Sequence, residues 1–202
     1  MHQDSIRLKF VFYLNLVNFL VILTSGFMIP LWGDFVTHIG GDVRTAGKAV
    51  AAFSMAIGFF TFVAGKIESK FCKDAWFMVL TQGIRCLSYT GYFFVTAPYQ
   101  LYLVQIALGL AGAFQAPALY SLYHHHMPKQ GTPFFWGIWT GCYNISIGTG
   151  AFLSALIVHH YGFTAMFSVL LTVSMLGFLA AVYTKYAVDK ASIHFVDKVQ
   201  QQ

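Results

Sequence analysis

Residues 47–65 read GKAVAAFSMAIGFFTFVAG, and within them Gly47, Ala51, Ser54, Gly58, Thr61 and Gly65 recur in steps of four and three. That spacing holds the small residues on one face of an α-helix. About 90 positions later, in residues 137–155, GIWTGCYNISIGTGAFLSA, the row returns as Gly137, Gly141, Asn144, Gly148, Ala151 and Ala155 with every step kept. Inside lipid no hydrophobic drive brings helices together, so close backbone approach over Gly, Ala and Ser becomes a main source of association. The two stretches are predicted to be packing helices within a membrane.

Composition agrees with that setting. Of 202 residues, 57% are hydrophobic and 9% charged, and mean hydropathy is +0.64; a soluble domain carries about 25% charged residues. Apolar stretches near 20 residues, long enough for a hydrocarbon core of roughly 30 Å, fall at 10–32, 47–65, 76–96, 101–123, 134–157 and 163–184. The predicted class is all-α, a polytopic membrane protein with six transmembrane helices. Its domain occupies residues 1–185 and is followed by a mixed, polar tail at 186–202 that reads as a flexible or surface-lying cytoplasmic end. The first span is too long for a signal-peptide core and reads as retained.

The formal charge of +5 follows alternate loops and is no nucleic-acid signal. Arg7, Lys9, Lys66, Lys70, Lys73, Lys129, Lys185, Lys190 and Lys198 fall on one side, and Arg44 and Lys48 on the other. The positive-inside rule then places both termini in the cytoplasm. Cys72, Cys86 and Cys142 have no metal or redox spacing and read as free thiols. His124, His125 and His126 are predicted to lie across the membrane from His159 and His160. Consecutive helical residues point about 100° apart, so no metal site is expected. No Ser or Cys has a His or acid placed at its depth, which argues against a nucleophilic enzyme. No cofactor is indicated.

Span 3 carries Gln82, Arg85, Ser88, Tyr89 and Tyr92 at three-and-four spacing, a polar stripe. Arg85 lies near mid-bilayer, where an arginine costs about 2.5–3.5 kcal/mol on the insertion scale. No Asp or Glu falls inside a span; the nearest are Asp34 and Glu68 at span ends. Arg85 must therefore bond to Gln82, Ser88 or carbonyls of a neighbouring helix, or be open to an anionic substrate.

The repeat reaches beyond the two small rows. Pro30 in span 1 corresponds to Pro117 in span 4, and Ala75-Trp76-Phe77 at the start of span 3 to Ala165-Met166-Phe167 at the start of span 6. Three spans (about 10–96) are followed by three related spans (about 101–184). Because three is odd, the second set enters from the opposite side as an inverted repeat, an arrangement common in secondary transporters.

At this point the chain resembles the amino-terminal half of a major facilitator superfamily transporter. Gly65-Lys66-Ile67-Glu68-Ser69-Lys70-Phe71 is similar to the family's signature turn between spans 2 and 3. Leu103-Val104-Gln105 through Gly109, Gly112 and Pro117 resembles its span 4, and Tyr161-Gly162-Phe163-Thr164-Ala165-Met166-Phe167 the start of its span 6. The turn departs from the family pattern where Ser69 stands at the acidic position and Cys72 at the second glycine. Gln105 replaces the Arg of many proton-coupled members, Ile145 and Ser146 the Gly-Pro pair of antiporters, and six spans stand where the family has twelve.

The resemblance implies a solute cavity lined mainly by spans 1 and 4. It makes Asn15, Asn18 and Gln105 the first substrate-contact candidates, with interhelical bonding as the competing role. Arg85 and, on span 5, Trp139, Tyr143 and Asn144 complete the set, and Gly65, Lys66, Glu68, Ser69 and Lys70 form the gating turn. The expected function is transport of a small solute across a cell membrane after pairing with a second half. A homodimer is expected to meet through Gly47, Ala51, Ser54 and Gly58 of one copy and Gly137, Gly141 and Gly148 of the other. The rival readings are a membrane interaction protein that has lost transport, and one half of a split transporter.

Overall fold

The computed structural model describes the backbone of residues 2–71 and 73–200 and the side chains of 7–71 and 73–190. Cys72 and the side chain of Lys198 lie outside the described residues. Six helices follow in order: α1 (His2–Met28), α2 (Trp32–His38), α3 (Val43–Phe71), α4 (Asp74–Gly91), α5 (Pro98–His126) and α6 (Thr132–Gln200), with a 3-10 turn at Tyr92–Phe94 after α4. No strand occurs among the described residues. Four helices, α1, α3, α5 and α6, have stretches long and apolar enough to cross a membrane.

Local chemistry sets several of these boundaries. Asp42 Oδ1 accepts from the Thr45 N–H at 2.8 Å and from its hydroxyl at 2.9 Å, holding the first turn of α3. Gly40, at φ 75°, makes the reversal between α2 and α3. At the start of α5, Pro98 takes the first position, where its missing N–H costs nothing, and Gln100 Oε1 accepts from the N–H groups of Thr96 and Ala97. α6 is interrupted at Gly162, whose φ 78° and ψ 179° divide it into segments 132–161 and 163–200. Its apolar stretch, Thr132–Lys190, has 59 residues, against the ~20 that one crossing needs.

Two features differ from the sequence reading. Span 1 ends at Met28, and the chain then forms the short helix α2, which the apolar pattern had merged into the span and a loop. The structure makes it a plug: Phe35 is buried against the rings of Tyr92, Phe163 and Phe167, with centroids 5.7, 5.5 and 5.2 Å away. The stretch 65–71, expected to be a turn, forms the last two turns of α3. Its polar residues other than Glu68 sit on the helix surface, which satisfies them without ending the helix.

α1 packs against both segments of α6, α3 against α5, and α4 between α5 and α6. Two crossings bring backbones together at glycine. A Cβ on Gly26 of α1 would stand 2.6 Å from the Ile147 carbonyl oxygen, and one on Gly150 2.5 Å from that of Leu23. One on Gly109 of α5 would stand 2.7 Å from the Phe53 carbonyl oxygen of α3. Only glycine permits contacts this close without the helices parting. By contrast, Gly47, Gly58, Gly65, Gly137, Gly141 and Gly148 have nothing within 4 Å of a notional Cβ. The small rows thus face away from the chain's own interior. Phe12, Phe59, Phe62, Leu87, Phe152 and Leu179 are also turned outward, the apolar surface that suits lipid.

Candidate functional site

The helix contacts bury a set of polar groups unusual for an apolar bundle: Asn15, Asn18, Thr24, Gln82, Arg85, Ser88, Gln105 and Gln115. These eight come from α1, α4 and α5, while Glu68 of α3 and Ser146, Ser154, Ser174 and Thr184 of α6 are buried as well. α4 presents Met78, Thr81, Gln82, Arg85, Ser88 and Tyr89 inward, so its polar stripe is its buried face. Arg85 is 9% exposed and donates from Nε to Gln115 Oε1 at 2.6 Å. The partner is thus neither Gln82 nor Ser88 of its own helix but an amide on α5. An arginine has only donors, so the bond fixes the amide with its oxygen toward Arg85 and its nitrogen turned away.

Two cavities meet at this arginine. One, of about 430 Å³, is lined by Thr24, Ser25 and Met28 of α1, Val50 and Phe53 of α3, Tyr89 of α4, Gln105 of α5 and Tyr143 and Ile147 of α6, with Arg85 among them. The other, of about 100 Å³, is lined by Asn18, Gly112, Gln115, Trp139 and Tyr143, and again by Arg85. Arg85 is the one charged side chain in either wall. A larger concavity, about 820 Å³, is an apolar crevice between α4 and segment 163–200, lined by residues such as Trp76, Leu80, Phe178 and Leu179, with Lys73 its one charged lining residue. It lacks the convergent polar groups that orient a solute, so we place the candidate site at Arg85.

The residues singled out in the sequence divide into those brought to the cavities and those kept away. Asn18 and Trp139 line the smaller cavity, Gln105 the larger, and Tyr143 and Arg85 both. Gln105 Nε2 lies 3.4 Å from the Tyr92 hydroxyl, which accepts from it, and Trp139 packs on Tyr123 with ring centroids 4.5 Å apart. Asn15 is buried outside both walls, donating to the Val11 carbonyl at 2.9 Å and to the Tyr123 hydroxyl at 3.4 Å. Asn144 is exposed and bonds back to the Thr140 carbonyl of its own helix. Of the expected gating residues, Gly65, Lys66, Ser69 and Lys70 are exposed near the end of α3, while Glu68 is buried with Oε1 unpartnered.

Two contributors, Gln115 and Thr24, escaped the sequence reading, and Tyr89 entered it only as part of the polar stripe. Gln115 holds Arg85, and Tyr89 of the polar stripe reaches across to donate to Thr24 Oγ1 at 2.9 Å. The signal for Gln115 was available: a lone cation in span 3 requires an acceptor, and span 4 contains a second buried amide besides Gln105. Among the described residues no group of three His, Cys, Asp or Glu gathers for a metal ion.

Comparison with known proteins gives this geometry a context. The profile of the Major Facilitator Superfamily matches residues 14–199. An uncharacterized MFS-type transporter of Methanocaldococcus jannaschii is 24% identical over 174 residues, covering 86% of this chain and 44% of that protein. The gallate transporter of Pseudomonas putida is 25% identical over 152 residues, 73% of this chain and 34% of that protein. The chain therefore spans less than half the length of these relatives.

Proposed function

Because the chain belongs to the major facilitator superfamily, an integral membrane family, we propose that it is a six-span half unit that moves a small solute across a cell membrane once joined to a second half. A second copy of the same chain is the partner we favour. Counting α6 as two crossings and α4 as one whose buried face lowers its apolarity gives six, with both termini in the cytoplasm by the distribution of Lys and Arg.

Two contacts support an inverted repeat. Ile57 and Ile147 are 90 positions apart, and each packs on a glycine of the other three-helix set, Gly109 for Ile57 and Gly26 for Ile147. Cys86 Sγ and Ser174 Oγ, 88 positions apart and so two short of that 90-residue offset, lie 3.2 Å from each other, a contact between the two three-helix sets near where a shared two-fold axis would pass.

The pairing rests on one observation. The 430 Å³ cavity takes part of its wall from Val50 and Phe53 of α3 and Tyr143 and Ile147 of α6, and the small rows of these same helices have no partner within the chain. A parallel dimer that sets Gly47, Ala51, Ser54 and Gly58 of one copy against Gly137, Gly141 and Gly148 of the other would cover those rows and close the cavity between copies. No acid lines either cavity, so the reading assigns no proton-coupling carboxylate to the site.

The shares of 44% and 34% favour a second reading, in which the other half has a different sequence. One experiment separates the two. Ser54→Cys and Asn144→Cys are placed on separately tagged copies lacking the native cysteines, and the protein is weighed in lipid nanodiscs. A crosslink between copies and a dimeric mass are expected. Monomeric mass at several concentrations, with no crosslink, overturns the homodimer.

A further inference from the structure

We propose that Asn18, Arg85 and Gln115 form a binding site for the carboxylate of a small organic monoanion, which makes such anions the substrate class of the cavity. The inference rests on the transport reading above and adds the charge and size of the solute.

The site consists of buried donors without acceptors. Of the five N–H groups of Arg85, only Nε has a partner among the described residues, the Oε1 of Gln115. With that oxygen committed, Gln115 Nε2 is left buried and unpartnered, in a residue 3% exposed. Asn18 Nδ2, in a residue 4% exposed, is unpartnered as well. All three side chains line the same 100 Å³ cavity. Gly112 lines the same cavity beside the guanidinium, a Cβ there standing in ordinary contact with Arg85 Nη2 at 3.9 Å.

An unpartnered buried donor is destabilising because it has given up water without gaining an acceptor, and a mid-membrane arginine without a counter-charge adds to that. Two such donors and a guanidinium with free N–H groups around one space carry a cost that a single bound anion removes. A carboxylate suits both the charge and the room, because its planar pair of oxygens takes two parallel bonds from a guanidinium and a cavity of this size exceeds the ~30 Å³ share of one water several-fold. The neighbouring 430 Å³ cavity, which shares Arg85 and Tyr143, offers aromatic and apolar walls from Phe53, Tyr89, Tyr92 and Leu108 for the body of the solute or for its approach. A cation is repelled by Arg85, and a dianion would leave one charge in an apolar wall.

The test uses the full chain in lipid nanodiscs and measures thermal stabilisation and calorimetric binding with benzoate, its neutral amide benzamide, and nitrate. Benzoate is expected to bind and benzamide to bind at least tenfold more weakly. Nitrate tests whether the planar anion alone suffices or the carbon body is needed: weaker binding than benzoate supports an organic substrate, and tighter binding overturns it in favour of an inorganic one. Arg85→Gln should abolish benzoate binding. In case that variant fails to fold, Gln115→Glu supplies the carboxylate from within. It should match or exceed the parent in stability and lose benzoate binding, whereas a purely structural Gln115 would leave binding in place. Equal binding of benzoate and benzamide, no binding of any of the three, or retained binding in Gln115→Glu would overturn the proposal. None of these outcomes depends on the Ser54–Asn144 crosslink, so a wrong solute class and a wrong pairing give different results.

Discussion

Gly150→Ala adds one methyl group at the closest approach to backbone of any described glycine, and its consequence can be worked from the contact distances. The new Cβ would lie 2.5 Å from the Leu23 carbonyl oxygen and 3.1 Å from the Gly26 backbone, whereas ordinary contact begins near 3.4 Å. Those atoms are backbone and cannot rotate aside, so α1 and segment 132–161 must part by roughly 0.9 Å, enough to forfeit a quarter to a half of each dispersion contact along the crossing. Overpacking of this kind costs about 1–3 kcal/mol, or roughly 2–4 °C of Tm for each kcal/mol. Gly26→Ala should cost a similar amount, since its Cβ meets the Ile147 carbonyl oxygen at 2.6 Å. The double variant should cost little more than the worse single one, because helices parted for the first methyl already accommodate the second. Gly148→Ala, two residues away with open space, should be close to neutral in the monomer. Thermal unfolding in detergent, followed by the reaction of half-buried Cys86 and Cys142 with a thiol dye, measures all four. Additive losses in the double variant, or a Gly150→Ala protein as stable as the parent, would refute the crossing.

Tyr123→Phe removes a hydroxyl that donates to the Phe135 carbonyl at 2.6 Å and accepts from Asn15, and should lower stability by about 0.5–1.5 kcal/mol in the same assay; an unchanged melting temperature would show that the bond contributes nothing. Bonds from the Thr45 N–H and hydroxyl hold the Asp42 carboxyl below its ordinary 3.8, so its hold on α3 is complete above that value and is lost as pH falls through the lower folded one. Hydrogen exchange at Thr45 and Ala46, corrected for intrinsic rates, should therefore accelerate below about pH 4, and Asp42→Asn should remove that dependence; a flat profile in the parent would show that the cap does not titrate. Asp42→Cys, in a background without native cysteines, should react with an impermeant thiol reagent from outside the cell, and reaction only from the cytoplasm would invert the topology.

The helical membrane class was legible because apolar length and a row of small residues are properties of single helices. What lay beyond one helix was less so. The small rows drew attention to Gly47 and Gly137, yet the contacts that require glycine are at Gly26, Gly109 and Gly150, which no row marks. A row says that a helix has a thin face, while the neighbour that meets it is decided by how all the helices assemble. α2 was hidden for a similar reason, since seven residues are too few to show a period, and the burial of Phe35 depends on Phe163 and Phe167 far along the chain. At the candidate site, Arg85 stood out by cost alone. Gln115 did not, because an amide becomes notable only once the cation facing it is known.

The touching pair Cys86 and Ser174 has a kinematic meaning. When two related sets of helices exchange shapes, points far from the axis that relates them trade places, but points on the axis are mapped onto themselves. On the repeat proposed above, the Cys86–Ser174 contact lies near that axis and should persist whichever side of the membrane the cavity faces. Ser174→Cys would place two thiols where oxygen and sulfur now stand 3.2 Å apart. On that proposal a bridge there should leave the exchange free, whereas a bridge of the same length away from the axis should hold the protein in one state.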